Sequence, residues 1–261
     1  MYANVVLGLL LSSVSLFGNE APGDAAVSYV TTARRDLGGA LQIETEVYTP
    51  QPGDLVLYDE HSKFWQMVYL LVGTRPPDHA GIIVRAPNGE LAILEAAPDD
   101  GQLIGLRVGL LQLMPRLQKF DGHVCIRRLK KPLDEERCHK LTDFAVAQCG
   151  KRYALGRFLL QATPFRARCG LRAKLFGKTD LDRHAWMCSE LVVAAGTVVG
   201  LFDPTKHKAN MIYPSDLLFD DRYDLRATWE VGAAWSASLS VPSSESRTFT
   251  DGTTSSPIAP R

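Results

Sequence analysis

The sequence predicts an α+β fold in which a small antiparallel sheet packs against one apolar helix bearing a cysteine. Three observations predict it. The stretch Trp186-Met187-Cys188-Ser189-Glu190-Leu191-Val192 opens a run rich in Val, Ala, Leu and Gly, with Leu191, Val192, Ala195, Val198 and Val199 at helical spacing. Residues 79–84 and 91–97 are short apolar segments joined by the turn sequence Ala86-Pro87-Asn88-Gly89. Finally, 46% hydrophobic and 22% charged residues in a chain of 261 are ordinary globular material, enough for one domain of about 200 residues with trimmings.

Lys plus Arg equals Asp plus Glu at 29 each, so global charge offers no footing for a nucleic acid. The five cysteines are odd in number and form no Cys-x-x-Cys pair, which argues against a disulfide scaffold and a zinc knuckle. His61, His123, His139 and His207 show no ligand spacing, and no metal or cofactor is expected. Residues 5–17 form an apolar run too short to span a bilayer, so 1–20 reads as a signal peptide or N-terminal apolar segment. A secreted or periplasmic destination follows, with a cytoplasmic alternative because no Lys or Arg precedes the run.

Taken in order, residues 25–37 suggest a short helix. Gln51-Pro52-Gly53-Asp54 makes a turn into a strand at 55–58. A helix over 61–72 ends at Gly73, and Thr74-Arg75-Pro76-Pro77-Asp78 is a rigid loop delivering His79. A two-residue Asn88-Gly89 turn would put His79 and Glu95 on opposite faces of the hairpin. A type I turn with Pro87 second and Gly89 in a bulge puts them diagonally on one face, and Pro87 suits that register. Residues 98–121 read as irregular with a short helix near 110–117, followed by a strand at 123–129. Asp134, Glu135 and Glu136 open a helix over 133–148. Residues 151–178 hold eight Lys or Arg and no acid, interleaved with Phe158, Leu159 and Leu160 among other apolar residues. Either a solvated face or an anionic or membrane-surface contact accounts for them. An edge strand is expected at 228–231, and the Ser/Thr/Pro-rich residues 236–261 form a tail beyond a domain at 21–235.

Acyl transfer through sulfur needs a thiolate, a base in reach, and a group that orients the imidazole. Cys188 falls at the first helical turn, where unpaired N–H groups and the helix dipole favour an anionic sulfur. His79 supplies the base and Glu95 the orienting carboxylate. Asp78 or Asp99 could orient the ring instead, His184 is a second base, and Cys188 alone would be an ordinary small buried hydrophobe.

In this order the chain resembles the circularly permuted NlpC-type papain-like cysteine hydrolases, YiiX-like and related to lecithin–retinol acyltransferase-like proteins. The matching pieces are Pro52-Gly53-Asp54-Leu55-Val56-Leu57, Asp78-His79-Ala80-Gly81-Ile82-Ile83-Val84, Leu94-Glu95-Ala96, Gly150-Lys151-Arg152-Tyr153, Cys188-Ser189-Glu190-Leu191-Val192 and Tyr213-Pro214-Ser215-Asp216-Leu217. The resemblance implies a permuted papain-like fold, with Cys188 as nucleophile, His79 as base and Glu95 as third member. Tyr153, Ser189 and Tyr58, within or beside these pieces, are assigned to substrate binding. The group often has Tyr-Asp where this chain has Tyr153-Ala154, and residues 158–185 form an insert. The function implied is cleavage of a peptide or other amide bond, including a peptidoglycan-derived one, through a thioester. The alternatives are a lipid-directed acyltransferase or thioesterase and a non-catalytic binding module.

Overall fold

The computed structural model describes residues 27–35, 39–97, 106–161, 163 and 181–238. The readings made for 1–20, Asp99 and most of the insert and tail lie outside them. The chain begins with two strands, β1 (Ser28–Arg35) and β2 (Leu41–Tyr48), paired antiparallel. The helix read at 25–37 is therefore corrected. Tyr29, Val30, Thr31 and Thr32 are β-formers, and pairing on both flanks of β1 overrides any helical spacing.

The turn at Gly53 leads into β3 (Leu55–Asp59), then α1 (Lys63–Val72), β4 (His79–Arg85) and β5 (Leu91–Ala97). Gly89 adopts a left-handed φ of +88°, its N–H bonds to the Ala86 carbonyl at 2.9 Å, and Ala86 N–H bonds to Glu90 at 2.8 Å. Gly81 then faces Glu95 and Ile83 faces Ile93, which is the register that Pro87 favours. β6 (Arg107–Gln112) continues the meander where irregular chain was expected, and the helix α2 begins only at Leu113 (Leu113–Lys119). β7 (His123–Arg127) returns beside β3, and α3 (Glu135–Gln148) is capped by Asp134. Next come β8 (Arg152–Tyr153), α4 (Leu155–Leu160), β9 (Ala185–Trp186), α5 (Cys188–Val198), α6 (Pro214–Leu218) and β10 (Ala233–Ser236).

The result is a mixed α+β architecture built on a large sheet, not the small one expected. Among the described residues ten strands join in the order β2-β1-β10-β7-β3-β4-β5-β6-β8-β9, antiparallel except for β8 with β9. The edge strand read at 228–231 is also corrected. Trp229 makes a single bridge to Leu129, and β10 lies four residues later, inside the sheet between β1 and β7.

Both faces of the sheet are covered. Leu55, Leu57, Ile82 and Leu94 share a core with residues of α3 and α5, while Val56, Tyr58, Ile83 and Ile93 share another with Leu113 and Leu117 of α2. Burial on two sides is why the central strands read as continuous apolar runs rather than alternating ones. No helix among the described residues is long and apolar enough to cross a membrane.

Asp54 pins the outer strands to this centre. Fully buried, it accepts bonds from the Tyr48 hydroxyl at 2.8 Å, Leu129 N–H at 2.7 Å and Gln51 N–H at 3.2 Å. Burial pushes its carboxyl up to about 6, against the lowering pull of those bonds. Asp54→Ala strips the acceptor from buried donors and should cost about 3 kcal/mol in urea denaturation, with Asp54→Asn costing less.

Candidate active site

Cys188 is the first residue of α5, and Met187 is the extended residue that caps the helix. Glu190 fixes this junction. One of its oxygens accepts the Met187 N–H at 3.2 Å, and the other pairs with Arg157 of α4 at 2.7 Å. The parallel pair β8–β9 sets Tyr153 beside Trp186, whose indole N–H bonds to Gln148 at 3.0 Å. The sulfur is thus held by short local pairings.

His79 opens β4 and presents its ring on the face shared with Tyr58 and Glu95. The ring stacks on Tyr58, centroid to centroid 5.4 Å with planes 26° apart. Its Nε2 lies 2.9 Å from Oε2 of Glu95. Cys188 also acts on this imidazole, as a hydrogen-bonding neighbour that raises its pKa. Burial by itself would lower the His79 pKa, but the bonds to Cys188 and Glu95 outweigh it and push the imidazole up to about 10.

Glu95 is the most heavily supported group of the site. Its Oε1 accepts the Tyr58 hydroxyl at 2.6 Å and Arg116 Nε at 3.2 Å, and its Oε2 accepts Arg116 Nη2 at 3.1 Å. Burial would raise its pKa, but His79 and Arg116 together hold the carboxyl down at about 2. The Arg116 guanidinium also lies over the Tyr58 ring, 4.9 Å from its centre. Room for the carboxylate comes from Gly81 opposite, where a Cβ would stand 2.9 Å from Glu95 Cγ and 2.6 Å from Ile93 Cγ2.

The sulfur borders a cleft lined by Tyr69 and Val72 of α1, Asp78, Tyr153, Phe158 of α4, Gln161, Met187, Ser189 and Tyr213 among others. The lining is mostly apolar. Burial and the nearby charges of Cys188 and Glu190 push the Tyr153 phenol upward, so it faces the cleft neutral. At the back, the Tyr213 hydroxyl donates to Gln161 Oε1 at 3.0 Å.

Cys188, His79 and Glu95 are therefore brought together, and Tyr153 lines the cleft beside them. One binding assignment needs correction. The Tyr58 hydroxyl is fully buried and committed to Glu95, so it positions the carboxylate and cannot meet a ligand. Ser189 lines the cleft, although its hydroxyl is donated to the Ile212 carbonyl at 2.6 Å, which ties α5 to the following turn. Among the alternatives, Asp78 accepts the Glu60 N–H at 3.1 Å and does not hold the ring, while His184 is exposed. Sequence reasoning missed Arg116, Gln161 and Tyr69; no motif marks them, because packing alone aims them at the site. Among the described residues no three His, Cys, Asp or Glu side chains group to hold a metal ion.

No family model matches the chain, and no curated protein matches it. Among solved structures, the chain is similar to the crystal structure of metalloprotein yiiX from Escherichia coli O157:H7. The TM-score is 0.40 and the identity 19%, over 59% of this chain and 69% of that one.

These pKa shifts predict how stability varies with pH. Glu95 sits below its ordinary value of 4.5, so its contribution is complete above pH 4.5 and is lost as pH falls through about 2. His79 sits above its ordinary 6.5, so its contribution is complete below pH 6.5 and is lost as pH climbs through about 10. For these two groups, urea midpoints should be highest between 4.5 and 6.5 and fall on both sides. Cys188→Ser should shallow the alkaline limb by removing one bond that raises His79, and Gly81→Ala should shrink both limbs by crowding Glu95.

Proposed function

We propose that this chain is a cysteine hydrolase of the permuted papain-like kind, cleaving an amide bond through a thioester at Cys188. The observation that carries the reading is the continuous relay Cys188–His79–Glu95 at the wall of an open cleft. His79 takes the thiol proton, and Sγ attacks the substrate carbonyl carbon. N–H groups at the start of α5 offer donors to the developing oxyanion. When the C–N bond breaks, the imidazolium returns its proton to the leaving amine, and the acyl group remains on sulfur. Water, deprotonated by His79, then cleaves the thioester to a carboxylic acid and restores the thiol.

Glu95 stays ionised throughout. Held low by His79 and Arg116, it fixes the imidazole plane and stabilises the imidazolium without accepting its proton. The apolar cleft lining favours an acyl portion of low polarity, and an ester carbonyl meets the same geometry. A peptide or cell-wall-derived amide remains the first substrate class to try.

Iodoacetamide and mass spectrometry test the reading directly. Cys188 should alkylate near neutral pH well ahead of buried Cys125, whose thiol burial pushes up to about 12. His79→Ala should slow turnover of an activated acyl substrate by about a thousandfold and Glu95→Gln by about a hundredfold, with Cys188→Ser inactive. Equal reactivity of Cys188 and Cys125 would instead identify a binding module that keeps the fold without the chemistry.

A further inference from the structure

A second cluster of acid and imidazole lies where β3 ends and β7 begins, and the proposed reaction does not use it. Asp59 and His123 stand opposite each other in the β3–β7 pairing, so their side chains leave the same face of the sheet. Gly122 permits that approach, because a Cβ there would strike the Asp59 carbonyl. His61, two residues past Asp59, adopts a left-handed φ of +54°, and its N–H bonds to Asp59 Oδ1 at 3.0 Å. The turn brings its ring to His123, centroids 4.1 Å apart and planes at 88°. Nε2 of His61 and Nδ1 of His123 are in direct contact. Their separation of 62 residues is why no ligand spacing shows in the sequence.

The carboxylate behind this contact is the second observation. Asp59 is 1% exposed, and among the described residues its Oδ2 has no hydrogen-bond partner. That oxygen lies 2.7 Å from His61 Nδ1. A buried carboxylate oxygen without a donor calls for positive charge beside it. In front of the same ring, two imidazole nitrogens in contact cannot both offer lone pairs unless a proton or a cation lies between them. The place is open to solvent: the His61 side chain is 47% exposed, and His123 is exposed as well. A carboxylate behind an imidazole whose far nitrogen faces outward is how proteins orient a metal-binding histidine.

We propose that His61 and His123 bind a divalent transition-metal ion of the zinc class through Nε2 and Nδ1, with Asp59 orienting His61 from behind. Imidazole nitrogen suits zinc, copper and nickel, whereas magnesium and calcium take oxygen. The protein supplies two nitrogens, short of the three side chains that would close the site, so water completes the shell. On binding, the His123 ring carries its proton on Nε2 instead of Nδ1, and rotation of the two exposed side chains admits the ion. A cation at Nε2 polarises the opposite edge of the His61 ring toward Asp59 and gives the buried carboxylate a lasting counter-charge. The ion also clasps the end of β3 to the start of β7. Helix α1 begins two residues past His61 and carries Tyr69 and Val72 to the cleft, so the clasp fixes the root of one cleft wall.

Calorimetric titration of the full chain with zinc chloride tests this, with Cys188→Ser in every arm because a thiol beside an imidazole can itself hold zinc. That parent should bind one equivalent of zinc at this site and no magnesium. His61→Ala and, separately, His123→Ala should each weaken binding by about tenfold or more, and Asp59→Asn by about tenfold. His139→Ala, at an exposed histidine of α3, should bind as the parent does. Zinc should raise the parent's urea midpoint and leave those of the two alanine variants where they stand in EDTA. Unchanged affinity in both alanine variants would mean an adventitious ion only and would overturn the proposal. Absence of binding would overturn it too; midpoints of both variants that then fall alike in EDTA would identify a pair that shares a proton. None of these outcomes depends on the thiol-hydrolase reading.

Discussion

A carboxylate that is 2% exposed must be compensated or neutralised, and Glu95 is compensated. Four hydrogen bonds reach it, from Tyr58, His79 and twice from Arg116. This cluster joins β3, β4, β5 and α2, so the sheet and the helix behind it must be assembled before the charge is tolerable. In return, the charge gives the imidazole a fixed partner and a fixed plane. Gly81 belongs to the same bargain, because any side chain there would occupy the space of Glu95 and Ile93. Local backbone chemistry, a buried ion and the orientation of the base are one constraint seen at three scales.

The sulfur reaches that cluster from the other side of the molecule's sequence. The α5 helix is buried from Cys188 through Gly196, so it is anchored by packing along its length rather than by its end. Glu190 and Arg157 then fix how its first residue is presented. The Cys188–His79 pair is assembled from two pieces, a strand start and a helix start, each held by its own contacts. In the proposed reaction, preorganisation of that sort lets proton transfer proceed without reorganising the surroundings.

Much of this centre was legible in the sequence because local chemistry decides it. Pro87 and Gly89 dictate a bulged turn, and that turn alone puts His79 and Glu95 on the same face. The apolar run after Met187 marks α5, and the helix begins at Cys188 as its spacing implies. What was not legible depended on distant partners. β1 pairs with β10, some two hundred residues away, and no local pattern reveals that a weakly periodic segment will become a strand inside a ten-stranded sheet. Gly109 and the two leucines after it hide β6 in the same manner. Tyr58 looks like a cleft residue by neighbourhood, yet it spends its hydroxyl on the interior. Arg116 was invisible because nothing about a basic residue in a short helix announces that it will be folded onto a buried acid.

The parallel pair β8–β9 has an architectural implication of its own. Arg152 lies against Ala185 and Tyr153 against Trp186, so the chain leaves this corner and comes back to it within one strand spacing. The chain between the two crossings, α4 included, leaves and re-enters the sheet at one place, and lengthening such an excursion costs only a slowly growing closure entropy. Arg157, early in the excursion, holds Glu190 and so ties its start to the placement of residue 188 just beyond its end. Length added beyond Arg157 is accordingly absorbed at low cost, while the β8–β9 pairing and the helix start after it stay in place.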